Sequence, residues 1–394
     1  MSDTRPDGAA DAPFEASFAT PHIARLRLTN FRSHAALDMA CGAGAVIITG
    51  ANGLGKTNIV EAVSMLAAGR GLRGAALEDM QKDRMNGWTV LADIDGPTGA
   101  VRAGVGFAAE DTGKAGRHVR LDGENARLDD VARLVPQLWL TPAMDRLFGD
   151  GAAGRRKFLD RFAQSLDAGL SRHIGSYEKA MRERNRLLQT PGTAFDTNSW
   201  LDGLEEEMAL HGVAIAAARL VALDALAVGL AAIPEAAFPR ADVALEGALE
   251  AALRAQSALD VEDGFRHELR GARGLDASAG RTLSGPHRSD LQVVYAAKNM
   301  PAGDCSTGEQ KALLVGLILA QAHSVAARTG DVPILLLDEV AAHLDKNRRD
   351  ALAEILAGLG GQSWITGTDA AAFSGFTNAT AINMNDNETT QGSA

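Results

Sequence analysis

Residues Gly50-Ala51-Asn52-Gly53-Leu54-Gly55-Lys56-Thr57 fit the phosphate-cradling pattern G-x-x-x-x-G-K-[ST] with no mismatch. A β-branched run, Ala45 to Thr49 (AVIIT), precedes them, and Ile59, Val60, Val63, Met65 and Leu66 recur behind them at helical spacing. The stretch therefore predicts strand, glycine-rich loop and helix. Glycines let successive backbone N–H groups close around phosphate oxygens, and the helix N-terminus adds its dipole. In such a loop Lys56 holds the β- and γ-phosphates of ATP, Thr57 ligates Mg²⁺, and Asn58 lies in the first helical turn.

A phosphate loop needs a metal partner and a base on a neighbouring strand. Ile334 to Glu339 (ILLLDE) supplies both, as an apolar run suited to a parallel strand buried on both faces. Asp338 at its C-terminal end is the expected second Mg²⁺ ligand, and Glu339 the expected general base for the attacking water. Just before it, Cys305-Ser306-Thr307-Gly308-Glu309-Gln310-Lys311 opens a long apolar helix. Ser306 with Glu309 three residues on forms a capping box. The same helix start would present Ser306, Gly308 and backbone N–H groups to a γ-phosphate held by another subunit, and the two roles are compatible.

The 394 residues allow two or three domains, and the 46% hydrophobic and 23% charged content is that of a globular protein. Two cysteines, Cys41 and Cys305, exclude a disulfide framework and suit a reducing, cytoplasmic setting. The most apolar stretch, Gly212 to Ile233, is interrupted by Arg219 and Asp224, so a packed helix is expected there and no membrane association. The formal net charge of −11 excludes an all-over basic coat.

Residues 1–21 read as a disordered leader and 383–394 as a flexible tail. Both ends of the ordered chain, 22–150 and 280–382, look α/β, beginning with a strand at IARLRLTNF (Ile23 to Phe31). Residues 151–279 are dominated by helix formers, with long runs over Asn198 to Ile233 and Ala241 to His267 separated by Pro234 and Pro239. This predicts a helical hairpin, either a plain helical lobe or an extended coiled-coil-like arm. Between Arg155 and Arg186 nine Lys or Arg stand against four Asp or Glu, a local +5. Arg155, Arg156, Lys157, Arg182 and Arg184 are the candidates there for sequence-independent phosphate contacts, with Arg70 and Arg73 behind the first helix. His287 and Arg288 are expected to brace the returning chain.

The order of phosphate loop, S-x-G-[EQ] helix and apolar strand ending in Asp-Glu resembles the ABC-type ATPase head of transporters, Rad50-like and SMC proteins and the RecF family. The details resemble RecF: LTNFRSH (Leu28 to His34), GKTNIVEAV (Gly55 to Val63), GRGLRGA (Gly69 to Ala75), RRKFLDRF (Arg155 to Phe162), Tyr177 with RERNRLL (Arg182 to Leu188), GRTLSGPHRSDL (Gly280 to Leu291), CSTGEQKALLVGLILA (Cys305 to Ala320) and ITGTD (Ile365 to Asp369). The resemblance implies an α/β ABC-type head with a mixed sheet and an inserted helical arm domain. It also implies a slow DNA-dependent ATPase whose two heads dimerise around ATP and close on DNA, either duplex or single/double-strand junctions, with RecR and RecO as partners in recombinase loading.

Under this resemblance Asp345 falls at the aspartate that the family keeps at the subunit interface, although a helix cap explains it equally. One departure concerns Leu140-Thr141-Pro142, where the family usually places an acidic residue after the proline; here Ala143 and Met144 precede Asp145. No Q-loop glutamine is assigned between Gln137 and Gln164. A transporter ATPase subunit is the alternative, disfavoured because Thr57 and Ser306 stand 249 positions apart and no switch histidine follows ITGTD. A structural SMC-like linker is disfavoured because the helical arm is too short.

Overall fold

The computed structural model describes residues 20–83, 87–97, 99–109, 115–189 and 197–385. Most of the expected leader and tail, residues 1–19 and 386–394, lies outside the described residues.

In chain order the first strands are β1 (His22–Phe31), β2 (His34–Ala40), β3 (Ala45–Thr49), β4 (Trp88–Gly96), β5 (Gly99–Ala109), β6 (Ala115–Leu121), β7 (Glu124–Asn125) and β8 (Gln137–Leu140). The later ones are β9 (Ala241–Glu246), β10 (Asp290–Tyr295), β11 (Met300–Pro301), β12 (Ile334–Leu337), β13 (Ser363–Gly367) and β14 (Thr380–Asn383). The helices are α1 (Lys56–Ser64), α2 (Leu128–Leu134), α3 (Ala152–Leu166), α4 (Leu170–Gln189) and α5 (Thr197–Ala232). They continue with α6 (Ala248–Leu253), α7 (Ala258–Gly271), α8 (Arg273–Ala279), α9 (Thr307–Thr329) and α10 (Lys346–Leu359).

A parallel sheet in the order β14-β3-β13-β12-β8 forms the centre, and an antiparallel sheet in the order β2-β1-β4-β5-β6-β7 packs beside it. The alternation of side chains along the parallel strands divides two cores. Val46, Ile48, Trp139, Ile334, Leu336 and Trp364 face α1 and the antiparallel sheet, whereas Ile47, Leu138, Leu140, Leu335, Leu337 and Ile365 face the helices. A strand whose two faces are both buried must be apolar at every position, which is why ILLL shows no alternation. The α/β ABC-type fold class is thus as expected, with the helical segments entering from one face.

The helical lobe is packed against the head, so the compact alternative holds rather than an extended arm. Helix α5 buries Leu204, Met208, Val213, Ala222 and Leu226 in the same core as α9. The crossing is close: a Cβ on Gly229 of α5 would lie 1.9 Å from the Ala320 carbonyl oxygen of α9. Ser324 Oγ seals it with a 2.8 Å bond to Ala225 O. Both α5 and α9 are long and apolar enough to cross a membrane by length and composition alone, but α9 is 72% buried over its most apolar window and reads as a core helix.

One expectation is corrected. Ala241 to Glu246, read as the start of a second long helix, is strand β9, paired antiparallel with β10 from Ala241↔Tyr295 to Glu246↔Asp290. Ala, Leu and Glu favour helix locally, yet Val243 and Leu245 pack on the core and the backbone bonds are completed by a strand remote in sequence. Pro234 and Pro239 therefore end α5 and lead into a strand, not a helical hairpin. The antiparallel helix pair is α4 with α5 instead.

Candidate functional site

In a parallel sheet the loops beyond the carboxyl ends of the strands form the natural crevice. Here those ends are Thr49 of β3, Leu337 of β12, Gly367 of β13 and Leu140 of β8, and they bring the phosphate loop and the acidic pair together. The loop itself is shaped by Gly50, Gly53 and Gly55, whose φ angles of 144°, 88° and 91° exclude most side chains. Ala51, Asn52, Gly53 and Leu54 are exposed, and the Ala51 amide donates to Asn385 Oδ1 at 3.1 Å. Lys56 is 4% exposed, and its ammonium donates to Gly50 O at 2.8 Å and Ala51 O at 2.9 Å.

Thr57 Oγ1 donates to Asp338 Oδ1 at 2.9 Å. Thr366 Oγ1, at the end of β13, donates to the same oxygen at 2.7 Å, and the Asp338 amide donates to Leu140 O. Among the described residues no group of three or more His, Cys, Asp or Glu side chains forms a metal cage. Two converging hard oxygen donors fit Mg²⁺, which keeps most of its shell as water and phosphate oxygen. Glu339 adopts a left-handed φ of 55°, held by a 2.9 Å bond from its N–H to Thr366 Oγ1. A non-glycine residue in that region is costly and is kept only where its surroundings hold it. Glu339 and Asn52 border a cavity of about 580 Å³ that Arg349, Thr368 and Asp369 also line.

Several supports escaped sequence reading. The β1–β2 turn braces the loop: His34 Nε2 meets Gly55 O at 3.2 Å, and Asn58 Nδ2 donates to Ser33 Oγ at 2.8 Å. Burial pushes His34 below the usual imidazole range. Glu61 of α1, wholly buried, receives the Arg32 guanidinium at 2.7 and 2.9 Å and Arg73 at 2.9 Å. An Arg two residues before a His and a Glu inside an apolar helix were the available signals, but their pairing is a tertiary fact.

Ser306 caps α9 in the expected box, with its amide donating to Glu309 Oε2 at 3.0 Å. Lys298 also pairs with Glu309, and these donors hold its carboxyl down at about 2. Ser306 and Gly308 are exposed, and a Cβ on Gly308 would meet only open space. Among the described residues, no hydrogen bond or ion pair joins residues 306–309 to residues 50–58. Asp345 caps α10 by accepting from the Arg348 amide at 2.9 Å and is exposed. Gln137 lies buried in β8 with Nε2 on Val63 O, and Gln164 lies in α3. The segment bordering Asp338 and Glu339 after β8 is Thr141–Asp145, and Asp145 pairs with Lys311 of α9 at 2.8 Å.

The cationic candidates divide. Arg184 is corrected: it is wholly buried, bonded to Glu205, Asp276, Thr282 and Leu269 O, and is no surface contact. A charged residue counted along a helix carries no label for its face, and this one faces inward. Arg155 is committed to Asp290 through two 2.8 Å bonds, and Arg156 donates to Ser289 O. Arg73 is engaged by Glu61. Arg70, Lys157 and Arg182 are exposed, the last with only a 3.6 Å pairing to Glu178. His287 braces the chain as expected, between Tyr177 Oη at 2.8 Å and Thr282 O at 3.1 Å.

The RecF/RecN/SMC N-terminal domain family matches residues 22–391. The chain is 50% identical over 359 residues to the DNA replication and repair protein RecF of Mesorhizobium japonicum, covering 90% of this chain and 94% of that one. It is 49% identical over 354 residues to the protein of the same name from Brucella suis, covering 89% and 91%. Its fold matches a solved structure of the recombination mediator protein RecF-ATPrS in the RecFOR pathway with a TM-score of 0.79 and 21% identity, over 93% of this chain and 99% of that one. A RecF-ATP structure from the same pathway gives 0.77 and 22%, over 91% and 94%. A glycine-rich loop facing an Asp-Glu pair across one sheet is shared by many ATPases, but identity of this extent along nearly the whole chain is not, and the chain belongs to the RecF family.

Proposed function

We propose that this chain is an ATP-driven, DNA-binding protein of recombinational repair and of replication gap and fork processing. The observation that carries the reading is the convergence of Thr57 and Thr366 on Asp338 at the sheet's carboxyl edge, beside the turn that holds Glu339. Residues 50–58 bind ATP. Thr57 and Asp338 hold Mg²⁺, which neutralises phosphate charge when bound. Lys56 exchanges its two loop carbonyls for the β- and γ-phosphates, and Glu339 takes the proton of the attacking water.

The exposed signature, which makes no hydrogen bond or ion pair to its own loop among the described residues, supports a dimer in which Ser306, Gly308 and Glu309 reach the nucleotide of a second copy and Asp345 lies at the joint. ATP stabilises the closed pair because it contacts that state better, and hydrolysis reopens it. The domains are a head formed by 22–150 and 280–382 and a helical lobe, 151–279. DNA of duplex or single/double-strand junction type, read without sequence preference, contacts Arg70, Lys157 and Arg182. The description of the matched structures as a recombination mediator in the RecFOR pathway supports RecO and RecR as partners; recombinase loading in a cytoplasmic setting belongs to the same proposal. The turnover is slow and stimulated by DNA. The transporter alternative is set aside with the family membership.

The test is Lys56→Ala in the full chain, followed by light scattering and DNA binding with and without ATP and Mg²⁺. Loss of ATP-dependent dimerisation and of the ATP-dependent gain in DNA affinity is expected. Retention of both sinks the switch.

A further inference from the structure

Outside the nucleotide crevice, on the other side of α1, a small cavity lies where the segment after α1, the strand β8 and the helix α3 meet. It is lined by Ala67, Ala68, Ala132, Pro136, Gln137, Trp139, Arg161, Gln164 and Ser165, none of them acidic. Arg161 dominates it. The guanidinium carbon lies 3.3 Å from the centre of the Trp139 ring, and burial pulls the group down to about 9.

Four polar atoms at this one place have no protein partner among the described residues: Arg161 Nε and Nη1, Trp139 Nε1 and Gln137 Oε1. The carboxylate adjacent in sequence acts on Arg161 only through its field, because both Asp160 oxygens are occupied by a bidentate pair with Arg219 at 2.7 and 2.9 Å. Gln137 is locked by its Nε2 bond to Val63 O, so its unpaired oxygen is fixed in place. A buried cation without a hydrogen-bonded counter-charge is unfavourable, and a buried donor without an acceptor costs nearly as much as the bond it lacks. Three of the four unpaired atoms are donors, so the complementary occupant is negative. The space, about 20 Å³, is that of one or two water-sized bodies and excludes a nucleotide or an organic phosphate.

We propose that this cavity is a binding site for a small inorganic anion of halide size, held between the Arg161 guanidinium and Trp139 Nε1–H, which ties α3 to β8 and to the end of the ATP-loop helix. Such a site shares no lining residue with the nucleotide loop. Its energetic effect is mass action on the folded state.

The full-length protein without nucleotide is melted in sodium chloride and in sodium gluconate at equal ionic strength, and crystals are grown or soaked in sodium bromide. Chloride is expected to raise Tm by roughly 2 °C or more over gluconate, with a bromide anomalous peak beside Arg161 and Trp139. Arg161→Met, which keeps length and removes charge, should abolish both. Equal melting in the two salts, water density in place of bromide, or a chloride dependence unchanged in Arg161→Met overturns the proposal. If that variant does not fold, the wild-type bromide map and salt pair decide alone.

Discussion

Thr57 Oγ1 and Asp338 Oδ1 are 2.9 Å apart although 281 positions separate them in the chain. Parallel pairing through β3, β13 and β12 makes this possible, since it sets the ends of the first and last motifs side by side. The same Asp338 oxygen also receives Thr366, so removing the carboxylate leaves two hydroxyls without their acceptor.

Asp338→Ala should therefore act twice. Magnesium-dependent ATP hydrolysis should fall to background, and the fold should lose about 1–3 kcal/mol through the unsatisfied hydroxyls. Thr366→Val separates the effects, weakening the support of Asp338 and Glu339 while leaving Thr57 in place. Its kcat is expected to fall more than its affinity for ATP. A Thr366→Val enzyme with unchanged kcat would remove the positioning role of that hydroxyl.

Arg184 and Arg182 are two residues apart and should behave oppositely. Arg184→Leu strands Asp276 and leaves Glu205 with Arg273 alone, both carboxylates about 1% exposed, and should cost about 3–5 kcal/mol in denaturant melts. Arg182→Glu should leave melting within about 0.5 kcal/mol, weaken DNA binding at low salt and lower the salt slope by about 1. Equal stability losses in the two variants would contradict the assigned faces.

Gly229 permits the close crossing of α5 and α9. Gly229→Ala forces a Cβ to 1.9 Å from Ala320 O, so the helices must separate, at a cost of about 3 kcal/mol or more. Because α9 begins at Ser306, the shift should also reduce ATP-dependent dimerisation, measured by sedimentation under conditions where the variant remains folded. Normal melting of Gly229→Ala would show that the crossing is looser than described.

The histidines give a pH signature. Burial lowers His34, His287 and His323 below the ordinary imidazole value of 6.5. The folded chain thus holds these groups neutral while the unfolded chain takes up protons below about 6.5. Their contribution is complete above that value and is lost as pH falls toward their lowered folded values. Tm should decline from pH 7.5 to pH 5, and His287→Gln, which keeps a partner for Tyr177, should flatten the decline. A pH-independent Tm over that range would contradict the assignment.

The motifs around Lys56 and Glu339 were readable because their chemistry is local. A loop that wraps phosphate needs glycines at fixed spacing, and a doubly buried strand must be continuously apolar before it meets a carboxylate. The capping box at Ser306 was readable for the same reason, since its partners lie three residues apart. Strand β9 was not, because Ala241 to Glu246 has helical composition and its pairing partners lie between Asp290 and Tyr295. Glu61 with Arg32 and Arg73 was not either, since charge in a sequence carries no partner.

By itself, then, the chain displayed its motifs: a glycine-rich loop ending in Lys56 and Thr57, a capping box at Ser306 and an apolar strand ending in Asp338 and Glu339. What only the tertiary structure decided is which charges meet solvent and which meet one another. Arg184, Arg155 and Arg73 look like neighbours of Arg182, Lys157 and Arg70 in sequence, yet the first three are consumed by Glu205, Asp290 and Glu61. The physical reason is that ion pairing depends on distances of a few ångströms between elements remote along the chain, which no local pattern encodes.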